Sequence, residues 1–592
     1  MNTSHDRRLR ARRATPVIAL AAIAFLVGAV VGSGHGGSPQ LGLAERFAHA
    51  WTHSDYASMY EDVDEASRRR IPASTFAGAY RAAARTATET SLAVVGSARE
   101  GAHGAISVPM LVNTRIWGKL KERLLLNVED GAGGPRVIWS HSLVFPGLPA
   151  GESLSRRMTM PSRATLLARD GSVLADGPAT AAGARDSPLG AAAAGVVGEV
   201  GPVPSARVSE LEAHGVPDAA IVGTSGLELA LDSQLRGTPG GQLLAGEHVL
   251  ASVPPKPSPA VHTTISPTLQ RVAAEALGGQ LGGVVAMDPA SGEILAVAGL
   301  GIDDLQPPGS TFKMVTVTAA LEAKVASLKS VFPYATSATL DGVKLENANG
   351  EDCGGSLALA FAVSCNSVFA PLGVKVGANR LVATAERFGF NHSPGLPGAV
   401  ESTLPQASQI QGELDLGSTS IGQGQVQASA LQMVRIAATV GDGGRRPTPT
   451  FEALPSMPVR VMSAATARTV RHLMIGVVRE GTGTAAAIPG VVVAGKTGTA
   501  ELGVPACPSK SEHRSEGGEP QTSGENEKES EKEADEDCST GNDDPQNTDA
   551  WFAAFAPAIH PRIAVGVLLV KDGAGGETAA PLAKQVLEAG LR

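Results

Sequence analysis

The sequence predicts a multidomain protein that begins with a membrane-spanning helix. A small α+β domain and an extended middle domain follow, and the last domain is an α/β domain with an antiparallel sheet flanked by helices. Three observations predict this fold class. The chain has 592 residues, too many for a single hydrophobic core. An arginine-rich start precedes a long apolar run. In the C-terminal half, strand-like segments enclose a long block of helical pattern.

The first segment, residues 1–36, has the pattern of a membrane anchor. Five arginines lie between residues 7 and 13, and the apolar run Val17 to Gly32 follows them. With its flanking residues this run reaches the short end of membrane-spanning length. Positive flanks stay in the cytoplasm, so the rest of the chain is expected outside the cell membrane. A cleaved secretory signal is the alternative. No Ala-x-Ala site follows the run, and both interpretations export the chain.

Residues 37–150 predict the small α+β domain. Leu41–Trp51 repeats apolar residues at helical spacing. Strands are predicted at Leu92–Gly96, Ala105–Val112 and Lys121–Val128. This segment shows no recognisable catalytic pattern.

Residues 151–258 predict an extended middle domain. Ser162–Asp176 has the pattern of two short strands around an Asp-Gly turn. Residues 178–204 are rich in Ala, Gly and Pro and are predicted to be loose. A short helix is expected within Gly223–Gly241, and Pro254–Pro259 has the composition of a linker.

Residues 259–592 predict the large C-terminal domain. Helices are expected at Thr268–Leu277 and Thr578–Leu591, and a mostly helical block from Thr311 to about Val440. The predicted strands are Val284–Met287, Ile294–Ala298, Val491–Ala500, Trp551–Ala556 and Ile563–Val570.

An acidic insertion interrupts this last domain at residues 507–547. Residues 511–545 hold thirteen acidic and three basic side chains, whereas the whole chain has a net charge of −9. The rest of the chain is therefore near neutrality, which argues against nucleic-acid binding. The high charge and low apolar content of the insertion predict that it is a disordered surface appendage.

Four cysteines form two sequence-local pairs, Cys353 with Cys365 and Cys507 with Cys538. Few cysteines fit an exported protein with few disulfides. Four cysteines allow three connectivities, and the sequence alone does not choose between them. If Cys507 and Cys538 were joined, they would pinch the acidic insertion at its base.

Ser310 and Lys313 are the first candidate catalytic residues. They follow Pro307-Pro308-Gly309 and open an apolar helix, so they share one helix face. A serine hydroxyl is a poor nucleophile until a base removes its proton, and a neutral lysine can do so. The helix N-terminus and burial both favour the neutral amine. On its own, this pattern is common in surface helices.

Two further elements strengthen this interpretation. Ser364-Cys365-Asn366 lies 54 residues after Ser310, within helical sequence. Its hydroxyl could relay a proton, and its amide could hold a substrate carbonyl. Lys496-Thr497-Gly498-Thr499 lies near a strand end, where an extended peptide could align beside it. Gly498 leaves room for the close approach of another backbone.

These three elements together resemble the class B penicillin-binding proteins. The segments Gly283–Pro289, Ser420–Gly424 and Trp551–Pro557 are similar to those that accompany the motifs in this family. Upstream, Arg163–Asp176 and Gly223–Gly240 resemble the family's dimerisation domain. Residues 40–150 resemble the NTF2-like domain of the methicillin-resistance-type, low-affinity branch. The resemblance thus covers nearly the whole chain.

The resemblance implies a peptidoglycan D,D-transpeptidase with a penicillin-binding, serine β-lactamase-like fold. Ser310 is then the acylated nucleophile, Lys313 its base and Ser364 a proton relay. Asn366 would orient the donor peptide, and Lys496 and Thr497 would contact its carboxylate. The N–H groups of Ser310 and Thr499 would form the oxyanion hole. The implied partners are peptidoglycan stem peptides, β-lactam antibiotics, the membrane and proteins of a cell-wall synthesis complex, without any metal, organic cofactor or nucleic acid.

Alternatives share parts of this pattern. A D,D-carboxypeptidase has the same motifs and differs in using water as the acceptor, although large upstream domains favour the transpeptidase. A non-catalytic β-lactam sensor would need a signalling domain, and only about 15 residues precede the apolar run. A β-lactamase would need a further base, and the segment Glu401–Leu404 is followed by Pro405 where asparagine would be expected. A bifunctional enzyme would need a glycosyltransferase domain, for which residues 40–150 are too short.

Overall fold

The computed structural model describes residues 38–101, 104–131, 133–180, 183–455, 457–502 and 547–592. The described residues form two compact units. The first contains the described residues up to Met160 together with Ala206–Asp218 and Pro239–Lys256. The second contains Pro161–Ser205, Ala219–Thr238 and Pro257–Arg592. The segment 151–258, which the sequence suggests is one domain, is therefore divided between the two units.

The helices of the described residues are, in chain order, α1 (Pro39–Thr52), α2 (Tyr56–Glu61), α3 (Glu65–Arg70), α4 (Ala73–Thr86), α5 (Ala191–Val197), α6 (Val208–Ala213), α7 (Gly226–Ala230), α8 (Asp232–Leu235), α9 (Pro267–Leu277), α10 (Lys313–Glu322), α11 (Leu357–Ala362), α12 (Asn366–Val376), α13 (Ala378–Phe388), α14 (Gly412–Ser420), α15 (Ala430–Gly441), α16 (Ala464–Glu480) and α17 (Ala579–Leu591). None of them is long and apolar enough to cross a bilayer. The apolar run Val17 to Gly32 lies outside the described residues, as do Cys507, Cys538 and nearly all of the acidic insertion.

The strands are β1 (Glu89–Val94), β2 (Arg99–Glu100), β3 (Ile106–Thr114), β4 (Gly118–Leu126), β5 (Val128–Gly131), β6 (Gly134–Val137), β7 (Leu154–Thr159), β8 (Leu166–Leu167), β9 (Val173–Ala179), β10 (Arg185–Asp186), β11 (Val200–Pro202), β12 (Ile221–Gly223), β13 (Gly240–Ala245), β14 (His248–Val253), β15 (Val261–His262), β16 (Gly282–Met287), β17 (Ile294–Gly299), β18 (Val331–Ala335), β19 (Ser337–Leu340), β20 (Val343–Glu346), β21 (Cys353–Ser356), β22 (Arg445–Arg446), β23 (Val459–Arg460), β24 (Ala494–Glu501), β25 (Thr548–Ala556) and β26 (Ile563–Leu569).

The N-terminal unit is the small α+β fold that the sequence predicts. β1, β2 and β4 each pair antiparallel with the central region of the sheet, which is formed by β3. Alternate residues of β3 are buried, as expected for a sheet with one face on the core. Helix α1 contributes Leu43, Phe47 and Trp51 to that core. The predicted helix and the three predicted strands are confirmed, with shifts of a few residues at their ends.

Buried ion pairs join the upstream segments of the second unit. Arg163 Nε lies 2.5 Å from Glu228 Oε2, and Arg163 Nη1 lies 2.9 Å from Asp232 Oδ1. Arg185 Nη1 donates to the other oxygen of Glu228 at 2.9 Å. Because Glu228 is fully buried, its charge needs these partners. Removing either arginine would break the ion pair of one carboxylate oxygen of Glu228.

The prediction that residues 178–204 are loose is wrong. The described part of this segment contains β10, α5 and β11, and Val196 and Val197 of α5 are buried in the core. Small residues let α5 approach the sheet closely, since a Cβ on Gly195 would lie 3.2 Å from the amide nitrogen of Gly299. A composition rich in Ala and Gly therefore reflects close packing here.

A five-stranded antiparallel sheet forms the centre of the second unit, as the sequence predicts, and its strand order is β17-β16-β26-β25-β24. Every residue of β25 is buried, so both faces of the sheet are covered. Trp551 and Phe555 belong to the core shared with α15, whereas Phe552 and Ala554 belong to the core shared with α9 and α17. The period of two along the strand directs alternate side chains to the two helical layers.

The predicted helical block from Thr311 to Val440 is interrupted, so that prediction is wrong in part. Strands β18 to β21 lie between Val331 and Ser356, where β19 pairs with β20 and β18 with β21. Asp341 and Gly342 both have positive φ in the turn that joins β19 to β20. An Asp-Gly pair between short apolar runs is a hairpin signal that the helical interpretation overlooked.

Candidate active site

Ser310 lies in a short 3-10 turn, Gly309–Phe312, that leads directly into α10. The preceding Gly309 has a positive φ, and its amide donates to the carbonyl of Gly422 at 2.9 Å. A Cβ on Gly309 would lie 2.6 Å from the carbonyl oxygen of Thr499. The turn is thus held between the Ser420–Gly424 segment and strand β24. Ser310 itself stays half-buried, which leaves its hydroxyl open to a substrate.

Lys313 is the first residue of α10 and is fully buried. Its Nζ lies 2.6 Å from the carbonyl oxygen of Ser364, 2.6 Å from Asn366 Oδ1 and 3.4 Å from Ser364 Oγ. Among the described residues it forms no hydrogen bond to Ser310. Catalytic hydrogen bonds are often long in an enzyme without substrate, so this geometry does not exclude proton transfer between the two.

The environment of Lys313 favours the neutral amine. Burial, and then the positive charge of Lys496, hold the pKa of Lys313 well below its usual value of 10.5. A neutral amine has two N–H donors and one lone pair. Two carbonyl-type oxygens at 2.6 Å can take both donors, which leaves the lone pair for a hydroxyl proton.

Ser364 and Cys365 lie between two helices and Asn366 begins the second, which corrects the prediction that the whole triplet is within helical sequence. Helix α11 ends at Ala362 and α12 begins at Asn366. Ser364 has a φ of 62°, an uncommon backbone conformation for a residue other than glycine. Cys365 forms a disulfide with Cys353, and Asn366 Nδ2 donates to the carbonyl of Glu346 at 2.8 Å. These two attachments fix the triplet against the hairpin region.

Lys496 reaches the same serine from strand β24. Its Nζ lies 2.8 Å from Ser364 Oγ and 3.0 Å from the carbonyl oxygen of Thr497. Lys496 is fully buried, and burial lowers its pKa to about 7. The Ser364 hydroxyl therefore lies between the amines of Lys313 and Lys496. Burial lowers the pKa of both lysines, and no carboxylate is among the causes of either shift.

Gly498 and Thr499 lie where β24 meets the nucleophile turn. A Cβ on Gly498 would lie 2.8 Å from the carbonyl oxygen of Pro308 and 2.9 Å from Cβ of Trp551. Thr499 Oγ1 accepts a hydrogen bond from the amide of Gly575 at 3.3 Å. The structure thus brings together all eight predicted site residues other than the cysteines: Ser310, Lys313, Ser364, Asn366, Lys496, Thr497, Gly498 and Thr499.

Sequence reasoning missed two aromatic residues beside the lysines. Lys313 Nζ lies 5.7 Å from the ring centroid of Phe369, and Lys496 Nζ lies 5.6 Å from that of Phe361. Such contacts stabilise a cation modestly. Both residues flank the Ser364 triplet in sequence, but their apolar neighbours make them indistinguishable from ordinary core residues.

Comparisons with known proteins agree with this site and fold. Residues 282–517 match the penicillin binding protein transpeptidase domain, residues 178–247 the penicillin-binding protein dimerisation domain, and residues 41–152 the NTF2-like N-terminal transpeptidase domain. Peptidoglycan D,D-transpeptidase PbpA of Mycobacterium tuberculosis is 32% identical over 400 residues, which cover 56% of this chain and 72% of that protein.

The chain is also similar in fold to solved structures of penicillin-binding proteins and of a D,D-transpeptidase domain. Penicillin-binding protein A of M. tuberculosis, as its ceftriaxone acyl-enzyme, is 27% identical with a TM-score of 0.54, over 73% of this chain and 98% of that one. A D,D-transpeptidase domain from Eggerthella lenta is 29% identical with a TM-score of 0.54, over 72% and 98% of the two chains.

The three motifs on this sheet and helix scaffold define a serine acyl-transfer protein of the penicillin-recognising kind. The matched domains and relatives are more specific. The chain belongs to the class B penicillin-binding proteins.

Proposed function

We propose that this chain is a peptidoglycan D,D-transpeptidase that cross-links stem peptides through an acyl-enzyme on Ser310 and is acylated by β-lactams at the same residue. One observation carries this proposal. Two fully buried lysines converge on the Ser364 hydroxyl beside the Ser310 turn, and burial lowers the pKa of both. Such a site can accept and return a proton near neutral pH.

In the acylation step, Ser310 Oγ attacks the carbonyl carbon between the two D-alanines, and its proton passes to Lys313. The negative charge on the carbonyl oxygen is stabilised by the N–H groups of Ser310 and Thr499, each worth roughly 3 kcal/mol in comparable sites. The C–N bond then breaks. The departing amine of D-alanine takes a proton through the Ser364 hydroxyl, which contacts both lysines.

In the second step, the amine of another stem peptide attacks the ester carbonyl. The amine gives up a proton to Lys313 through the Ser364 hydroxyl as the new peptide bond forms. The bond to Ser310 Oγ then breaks, and the serine oxygen takes that proton from Lys313. Asn366 orients the donor peptide, and Lys496 and Thr497 hold the terminal carboxylate of D-alanine or of a β-lactam. The donor backbone lies along β24, which Gly498 allows to pack close to the nucleophile turn.

The domain assignment and location belong to the same proposal. Residues 1–36 form a cytoplasmic tail and a single membrane anchor, and residues 37–150 an NTF2-like domain. Residues 151–258 form a dimerisation-type domain, and residues 259–592 an extracytoplasmic transpeptidase domain. The Arg7–Arg13 cluster before an apolar run supports this orientation. A place within a cell-wall synthesis complex is compatible with it.

Covalent labelling with a fluorescent penicillin tests the function. Wild-type protein should be labelled, whereas Ser310→Ala should not be labelled although it folds normally. Mass spectrometry of the wild-type adduct should locate it on Ser310. A stable adduct on any other residue would overturn the assignment of the nucleophile. Added protease should digest the catalytic domain in intact spheroplasts, and full protection would contradict the proposed orientation.

A further inference from the structure

Thr482 lies beside the proposed carboxylate-binding residues, although none of the three sequence motifs includes it. It follows the end of α16 and is flanked by Gly481 and Gly483. The residue is exposed, but its Oγ1 lies 2.5 Å from Thr497 Oγ1. The same hydroxyl makes a second, longer contact of 3.4 Å with the carbonyl oxygen of Ala362. The hydroxyl of an exposed threonine is thus bonded to a motif hydroxyl, which links Thr482 to the site.

The backbone around Thr482 is held tightly in place. Its amide donates to the carbonyl of Ala362 at 3.1 Å. A Cβ on Gly481 would lie 2.2 Å from that same carbonyl oxygen, and a Cβ on Gly576 would lie 2.2 Å from the carbonyl oxygen of Thr482. Thr482 therefore bridges two elements of the site: the end of α11, two residues before Ser364, and strand β24 at Thr497.

The number of protons in this pair limits what Thr497 can do. Each hydroxyl has a single proton, and a carboxylate can only accept hydrogen bonds. If Thr497 donates to Thr482, it has no proton left for a substrate carboxylate. If Thr482 donates to Thr497, the Thr497 proton is free to point at the carboxylate. The 3.4 Å distance to Ala362 makes that carbonyl a weak competitor for the Thr482 proton.

We propose that Thr482 is a positioning residue that directs the Thr497 hydroxyl proton toward the carboxylate of the acyl donor. This inference rests on the proposed function and deepens it. It makes recognition of a free carboxylate depend on a pair of hydroxyls, of which only Thr497 touches the ligand. Thr482→Val should then weaken the use of carboxylate-bearing donors, whereas Thr482→Ser should keep the hydrogen bond.

The test compares two probes on the full-length protein in detergent: penicillin G and its methyl ester, which lacks the carboxylate charge. Thr482→Val should lower the second-order acylation rate constant for penicillin G by about tenfold or more, the size expected for one hydrogen bond to a charged group. The rate constant for the methyl ester should change by less than about threefold. Thr482→Ser should behave like wild type with both probes.

Thr484→Val is the matched control, because Thr484 is an exposed threonine in the adjoining 3-10 turn and should leave both rate constants unchanged. Thermal melting should show that every variant is folded. Equal losses with both probes in Thr482→Val, or no loss with either, would overturn the role of Thr482 while leaving the proposed function intact. A wild-type protein that penicillin G does not acylate would overturn the proposed function, and this inference with it.

Discussion

At the scale of single residues, the site depends on two lysines that are placed where a positive charge is costly. Lys313 and Lys496 are both fully buried, and each lies over an aromatic ring. Cation–π contact of this size offsets only a small part of the desolvation of an ammonium group. The balance therefore lowers the pKa of both amines, and the neutral form of Lys313 can accept a proton from Ser310.

Lys313→Arg tests the role of that neutral amine. Arginine stays protonated at any accessible pH, so it cannot act as a base. Acylation by penicillin should fall by several orders of magnitude in the folded fraction of the variant, as measured by stopped-flow or gel-based labelling. Lys329→Arg is the control, because Lys329 is exposed. If Lys313→Arg kept acylation within about tenfold of wild type, Lys313 would not be the base.

Lys496 makes stability depend on pH. Its pKa is about 7 in the folded protein, whereas the ordinary value for a solvated lysine is 10.5, so the unfolded state binds more protons between these limits. The free energy of unfolding should therefore rise with pH over this window, by up to about 1.4 kcal/mol per pH unit from this group. In Lys496→Met the rise should be smaller. Unfolding measured from pH 7 to 10 checks this, and identical slopes for the two proteins would contradict the lowered pKa.

The sequence identifies the chemistry-bearing residues but not how they meet. Ser-x-x-Lys, Ser-x-Asn and Lys-Thr-Gly are recognisable as strings, and the structure brings all three together. By contrast, the sequence does not show that Lys313 of α10 and Lys496 of β24 both contact the Ser364 hydroxyl, because these residues lie on separate elements far apart in the chain. The bridge from Thr482 to Thr497 spans 15 residues and has no periodic signal. Long-range contacts of this kind leave no local pattern in the sequence.

At the scale of secondary-structure elements, period and turn chemistry explain which predictions are confirmed. The buried strands of the large sheet are continuous apolar runs with flanking turns, and they are found at the predicted places. The strands of the β19–β20 hairpin have only four residues each and mix polar with apolar side chains. Their alternation of polar and apolar residues is therefore too short to be distinguished from a helical pattern. Helix α5 consists mostly of alanine and glycine. Such a composition is also typical of loops, so the sequence did not reveal that this helix packs closely in the core.

Gly498→Ala tests the packing of β24 on the nucleophile turn. The added methyl group would lie under 3 Å from Pro308 and Trp551, neither of which can move without shifting the turn or the sheet. Overpacking of this kind costs about 1–3 kcal/mol, so acylation should fall by about tenfold or more. Gly476→Ala, in helix α16, is the matched control: its nearest non-neighbouring atom would be Cβ of Ala362 at 3.8 Å. That variant should be neutral or slightly stabilised. Equal behaviour of the two variants would contradict the proposed contact.

At the scale of the whole molecule, the chain inserts a long acidic segment into its catalytic sheet without breaking the pairing of the strands on either side. Glu501 pairs with Thr548 at the end of the β24–β25 ladder, and the amide of Leu502 donates to the carbonyl of Asn547 at 2.9 Å. The two ends of the insertion therefore leave the sheet side by side. A short turn could join them just as a hairpin loop does.

Replacing residues 507–545 with a short Gly/Ser turn should therefore leave the catalytic unit intact. Loop closure changes by only about 0.6 kcal/mol for each doubling of length, so the melting temperature should stay within a few degrees. Penicillin acylation should also be unchanged, because hydrogen bonds between Lys313, Ser364, Asn366 and Lys496 hold the site residues in place. A Gly/Ser segment of the native length is the control that removes the charge but keeps the length. An acylation rate that changes by tenfold or more in the short variant would instead identify the insertion as a lid over the Lys496 edge. The same change in the equal-length control would assign that effect to its charge.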